Sequence, residues 1–400
     1  MSKRTFVFHC APDDMALITI LRSGFMRALL VLAILATFTI PSYAAKPVVI
    51  GVVYNLTGTM ASIDVPGLEG MKLAVERVNR SGGVLGRPLV LEVRDGASDP
   101  ERCRDAAKEL TQAGVSAIAG LNDSDFALVA GEVSTQAHIP FVTAGATLPT
   151  LPRMLGPYYF MTCFGDDAQG KAVAKFVLRR KNIQSMFVLT DRDFAFTTAL
   201  AGYFTKGYVT RGGSIPARQH FSAASPNPLG GALPACLTTG ACQAVFVSGV
   251  PEDLVPSVTA LRAAGYGGPI FSGDGFDTPL LSQLGGKAAS GIFFSTHVSY
   301  DSPRQEVRRF VADWKASCGA EPGSGFAALG YDTVGLIADA VRRAKSSEPA
   351  QVRRALAATR KFSGVTGDIS YSEPLSPPLK PVIMVRFENG KRVFEAEVLP

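Results

Sequence analysis

The chain has 400 residues, 47% of them hydrophobic and 18% charged, with a formal net charge of +6. That length allows two or three domains, and the apolar content is ample for buried cores. The charges are dispersed, with only short clusters such as Arg179-Arg180-Lys181 and no basic stripe interleaved with aromatics, which argues against a nucleic-acid partner.

Residues 26–44 (MRALLVLAILATFTIPSYA) have a basic start, an apolar centre and a small-residue end. This is the pattern of a secretory signal peptide, with Ser42 and Ala44 at positions −3 and −1 and cleavage after Ala44. The apolar run is short for a bilayer span, and Met26 is a more natural start than Met1 or Met15. No lipobox cysteine follows, so the expected product is exported, soluble and without a lipid anchor. It retains 36 basic and 32 acidic residues and five cysteines: Cys103, Cys163, Cys236, Cys242 and Cys318. Export permits disulfides. Cys236 and Cys242 flank a five-residue flexible loop and are the candidate pair, while Cys163 reads as a buried structural thiol. The odd count leaves at least one thiol free or paired between chains. No Cys/His pair shows ligand spacing, so neither a metal nor another cofactor is expected.

The remaining elements alternate. Residues 48–53 read as a buried strand. Residues 67–80 read as a helix with Met71, Ala74, Val75 and Val78 on one face, closed by Ser81-Gly82-Gly83. A strand at 89–93 follows, and Asp99-Pro100 opens a helix through Leu110. A strand at 115–119 stops at Gly120 and releases the polar loop Asn122-Asp123-Ser124-Asp125. Phe126, Val129, Ala130 and Val133 then recur at helical spacing. Residues 139–142 form a strand that ends in Thr143-Ala144-Gly145-Ala146-Thr147. Two strand ends thus release two polar, small-residue loops, one of them at a helix start, where free N–H groups beside a hydroxyl suit a carboxylate. Asp123, Ser124 and Asp125 are equally natural helix caps, and Thr147 could open a helix through Leu148.

The alternation then restarts, with helices at 166–180, 194–211 and 252–264 and strands at 186–190, 214–220, 245–248, 269–272 and 291–296. Such spacing argues for a second parallel α/β unit of similar size. Three successive helices, at 303–317, 327–344 and 350–359, cannot continue that sheet, so the chain is expected to return and cover the first. Strands at 382–387 and 392–398 flank Asn389-Gly390, a strong hairpin signal.

Five segments carry a resemblance: 51–58 (GVVYNLTG), 67–86 (GLEGMKLAVERVNRSGGVLG), 118–149, 272–279 (SGDGFDTP) and 326–333 (FAALGYDT). In this order the chain resembles the periplasmic solute-binding proteins of branched-chain amino acid ABC transporters, over almost all of residues 46–400. The resemblance implies two Rossmann-like lobes joined by a three-crossing hinge, the type I periplasmic binding fold. The first lobe would comprise residues 45–163 and 297–364, the second 164–296 and 365–400, with crossings near Cys163, His297 and Gly364. It also implies a monomer that captures an apolar amino acid or related carboxylate and delivers it to permease and ATPase subunits.

Residue by residue, the family's carboxylate-binding serine falls on Ser124, and its second-loop residues fall on Gly145 and Thr147. The acid that meets the ammonium falls on Asp274, whose alternative reading is a turn residue in Gly273-Asp274-Gly275. The family's cleft aromatics fall on Ile63, Phe196 and Val250, so the expected tyrosine hydroxyls are absent. An ammonium with fewer partners is costly to bury, which leaves a non-amino aromatic or aliphatic carboxylate or amide as the alternative ligand.

An enzyme of similar fold is the main competitor. The sequence has no G-x-S-x-G elbow, G-x-G-x-x-G turn or G-x-x-x-x-G-K-[ST] loop. His138, His220 and His297 are far apart, with His138 reading as structural and His297 as hinge packing. Asp191, Asp193, Asp274 and Asp277 have no evident nucleophile or metal beside them. A ligand-sensing domain is a third class, opposed by the signal peptide and the lack of a later membrane span. The expectation is a binder and not an enzyme.

Overall fold

The computed structural model describes residues 46–179, 183–222, 225 and 227–399. The signal-peptide reading of residues 26–44 lies outside them, and so do Arg180 and Lys181. None of the described helices is long and apolar enough to cross a membrane.

The first half forms a five-stranded parallel sheet: β1 (Val48–Tyr54), β2 (Leu89–Asp95), β3 (Ala117–Gly120), β4 (Phe141–Thr143) and β5 (Tyr159–Met161). The spatial order is β2-β1-β3-β4-β5. β1 is buried almost throughout, as a strand covered on both faces must be. The helices between the strands are α1 (Ala61–Arg80), α2 (Pro100–Gln112) and α3 (Ser124–Gln136). Asp99 caps α2 by accepting from the Arg102 amide, with Pro100 at the first helical position.

Helix α4 (Asp166–Arg179) leads into the second sheet, where β6 (Ser185–Asp191), α5 (Ala195–Val209), β7 (Ser214–Phe221), β8 (Ala244–Ser248), α6 (Leu254–Ala263), β9 (Ile270–Ser272) and β10 (Ile292–Thr296) follow. The parallel strands lie in the order β7-β6-β8-β9-β10. Numbered from its own first strand, each sheet therefore reads 2-1-3-4-5. Alternating exposure along β7 marks it as an edge. Cys236 and Cys242 are joined in the connection before β8, while Cys103 and Cys163 are free and buried and Cys318 is free and exposed.

The chain then leaves the second sheet for α7 (Gln305–Cys318), α8 (Phe326–Ala344) and α9 (Pro349–Ala357). Helix α8 packs on α1 at a distance only glycine allows: a Cβ on Gly70 would overlap the Ala327 carbonyl, and one on Gly330 the Gly67 carbonyl. A two-stranded ribbon, β11 (Phe362–Gly364) and β12 (Gly367–Ile369), precedes the return to the second sheet. There β13 (Val382–Glu388) pairs antiparallel with β10, and β14 (Lys391–Val398) with β13. Asn389 and Gly390 both have positive φ, as a two-residue primed turn requires.

Three expectations need correction. Helix α1 begins at Ala61, six residues before Gly67, and carries Pro66 inside it, where the ring removes one intrahelical hydrogen bond. The loop after β4 does not run into a helix through Leu148; a short helix spans Leu151–Leu155. Strands β5, β11 and β12 were not expected at all. Each has three residues, too few to show a period.

Candidate functional site

The loops that follow β1, β3 and β4 face those that follow β6, β8 and β9. All six lie at carboxyl ends of parallel strands, where open α/β sheets present their ligand crevices. Together they line a closed cleft with free space of about 10 Å³, room for little more than one water. Ile63, Gly145, Thr147, Phe196, Val250 and Asp274 all line it. Ser124 is buried beside it but is not among the lining residues.

Asp123, not Ser124 or Asp125, caps α3. Its Oδ1 accepts from the amides of Asp125 (2.9 Å) and Phe126 (3.4 Å). Ser124 Oγ accepts the Leu148 amide at 3.2 Å, so it ties the loop after β3 to the loop after β4. Along that second loop the amides alternate. Ala144 donates to the Gly120 carbonyl, Ala146 to Thr143 Oγ1 and Leu148 to Ser124. Among the described residues the N–H groups of Gly145 and Thr147 have no partner. Unpaired backbone donors at a buried crevice suit an anion.

Two contacts hold the opposing loops together. Asp125 Oδ2 accepts the Ala195 amide at the start of α5 (2.9 Å). Asp277, in the loop after β9, accepts the Gly325 amide at 2.8 Å and Arg392 Nε at 3.0 Å, and its carbonyl accepts the Ser324 hydroxyl at 2.7 Å.

Asp274 departs from expectation. It is buried, and both carboxylate oxygens are already engaged: Oδ1 accepts from Gln169 Nε2 (3.0 Å) and Oδ2 bonds His297 Nε2 (2.9 Å). The Asp274 amide in turn donates to Gln169 Oε1 (3.1 Å), which also accepts the Ser295 hydroxyl (3.0 Å). A carboxylate in so dry a place requires such donors. His297 is more than hinge packing, although its ring does stack on Phe164 with centroids 4.0 Å apart. Burial holds the His297 pKa down, against the pull of Asp274. The neutral ring then donates through Nε2, and Nδ1 has no partner among the described residues.

Other carboxyls here are pushed the other way. Burial, and then the neighbouring Asp125, raise Asp123 to about 7. Burial raises Asp64 to about 8, although its oxygens accept the amides of Asn55 (2.8 Å) and Asn122 (3.1 Å), which pull it down. Met60, Asn122, Pro251 and Phe326 also line the cleft and were not singled out from the sequence. Asn122 had a signal, since it opens the quoted polar loop. Met60 had none.

A family model described as periplasmic binding protein matches residues 47–392, and the chain belongs to that family. The family is one of solute-binding proteins, not a class of enzymes. The chain is 26% identical over 372 residues to Leu/Ile/Val-binding protein homolog 3 of Brucella melitensis, covering 92% of this chain and 99% of the relative. Among solved structures it is similar to the branched-chain amino acid transporter substrate-binding protein LivJ from Streptococcus pneumoniae, determined in complex with isoleucine. That match has a TM-score of 0.80 at 29% identity and covers 89% of this chain and 99% of the other. The leucine-binding protein LivK from Thermotoga maritima also gives a TM-score of 0.80, at 27% identity, with 88% and 99% covered. The architecture is thus the type I periplasmic binding fold.

Proposed function

We propose that the chain is an extracytoplasmic solute-binding protein that captures a small apolar carboxylate, foremost a branched-chain or similarly apolar amino acid, and delivers it to an ABC permease with its ATPases. The observation that carries this reading is the pair of amides at Gly145 and Thr147, without partners among the described residues, beside Ser124 and set in a wall of Ile63, Phe196 and Val250. In this reading the amides and the Ser124 and Thr147 hydroxyls hold the carboxylate, and the apolar wall holds the side chain. The solutes after which the relatives are named support this choice.

The lobes are residues 45–163 with 297–364, and 164–296 with 365–400. They swing about the crossings near Cys163, His297 and Gly364. A cleft of about 10 Å³ admits no leucine, so uptake requires the lobes to part. The protein acts as a monomer, by capture and not by turnover, after export by the signal peptide at 26–44. A second reading, a non-amino carboxylate as solute, is favoured by one observation, the prior engagement of Asp274 by His297 and Gln169.

A thermal-shift screen of apolar amino acids and their deaminated analogues tests the proposal. A true ligand at 100 times its Kd adds ~2.7 kcal/mol of apparent stability. The carboxylate reading fails if no carboxylate shifts the transition.

A further inference from the structure

We infer that Oδ1 of Asn122 accepts a hydrogen bond from a donor on the carbon next to the solute's carboxylate, so that the first lobe alone reads both polar ends of an α-amino acid. The inference rests on the carboxylate reading above and goes beyond it by moving ammonium recognition away from Asp274.

The Asn122 carboxamide is buried and its orientation is fixed. Nδ2 donates to the Ile63 carbonyl at 3.0 Å, and the Asn122 amide donates to Asp64 Oδ1 at 3.1 Å. Oδ1 has no partner among the described residues, yet Asn122 lines the cleft. A buried amide oxygen without a donor is unfavourable, and a ligand donor relieves it. The oxygen also lies where the chemistry requires. A Cβ built on Gly145 would fall 2.7 Å from it, so the acceptor sits beside the residue whose free N–H belongs to the carboxylate cradle. In an α-amino acid the ammonium and carboxylate share one carbon, so their acceptor and donors must be neighbours, as they are here.

Asp123 supplies the second element. It lines the same cleft, and in its ionised form it favours an ammonium over a hydroxyl at this position. Asp274 serves less well. To take the ammonium it would have to give up Gln169 or His297, each of which is buried with it. Its part is to position the loop after β9.

Calorimetry on the full mature chain tests this with leucine, its 2-hydroxy analogue and 4-methylpentanoate, and with phenylalanine and 3-phenylpropanoate as a second series. Wild type should prefer the amino acid over the deaminated analogue by about tenfold or more. Asn122→Ala should lose that preference, while Asp274→Asn should keep it. Asn122→Asp retains an oxygen and adds charge, so it should widen the gap between the amino and hydroxy ligands even if Asn122→Ala does not fold. Tyr54→Phe removes a different buried polar atom that has no hydrogen-bond partner among the described residues, and it should change nothing. The inference is overturned if wild type binds amino and deaminated ligands equally, or if Asp274→Asn alone abolishes the preference. An unchanged gap in Asn122→Asp overturns it as well. If wild type binds none of these carboxylates, the proposed function falls first and takes the inference with it.

Discussion

Asp123 and Ser124 are adjacent, buried and polar, yet they meet different partners. Asp123 satisfies amides of the first turn of α3, and Ser124 reaches across to Leu148. Asp123→Ala should therefore cost about 1 kcal/mol of stability through the lost cap. Ser124→Ala should leave the cap intact and weaken ligand binding about tenfold, the loss of one charge-assisted hydrogen bond. Chemical denaturation and calorimetry read the two effects separately, and normal binding by Ser124→Ala would remove it from the carboxylate site. Asp123 also has a pH signature. Its pKa is raised to about 7 in the folded chain, so the folded state holds a proton that the unfolded state has released. The resulting stability is present at acid pH and lost as pH rises to about 7. The melting temperature should fall from about pH 5 to about pH 7. Asp123→Asn, which keeps a capping oxygen, should flatten that fall. A fall of unchanged size in this variant would assign the titration to another group, and Asp64 is the first candidate.

At the scale of elements, the α1–α8 contact holds the late helices on the first sheet. Backbone meets backbone there, at Gly67, Gly70, Ala327 and Gly330. Neither side is the flexible end of a side chain that could move aside. Gly70→Ala should cost about 1–3 kcal/mol by overpacking, even though alanine is the better helix former. A lower urea midpoint with an unchanged slope would confirm this, whereas a more stable variant would show that the helices can part at little cost. The cleft sits at one end of this packing, since Met60 and Ile63 flank the start of α1 and Phe326 starts α8. Repacking the two helices should therefore be felt at the ligand.

At the scale of the molecule, closure rests on few direct bonds between opposing loops. Asp125 grips the amide at the start of α5, where the helix dipole also favours a negative charge. Asp277 grips Gly325 while Arg392 holds it from behind. Asp125→Ala should shift the population toward an open form and weaken ligand binding. Small-angle scattering should then show a larger free protein that contracts only at higher ligand concentration. Identical scattering curves for wild type and variant, with and without a tight ligand, would argue against a closing cleft.

Sequence alone determined what depends on neighbours along the chain. The alternation of strands and helices follows from apolar periodicity, the start of α2 from Asp99-Pro100, and the β13–β14 turn from Asn389-Gly390. It also brought two polar loops to the carboxyl ends of β3 and β4, because a strand that stops at Gly120 or Thr143 must release its next residues there. Tertiary structure alone decided which polar groups are already spoken for. Asp274 lies 23 residues from His297 and 105 from Gln169, so no local pattern announces that its carboxylate is occupied. Asn122 reads as one more polar loop residue until Ile63 fixes its amide and leaves Oδ1 without a donor among the described residues. Hydrogen-bond capacity belongs to the residue, but whether it is filled depends on what long-range packing brings within 3 Å.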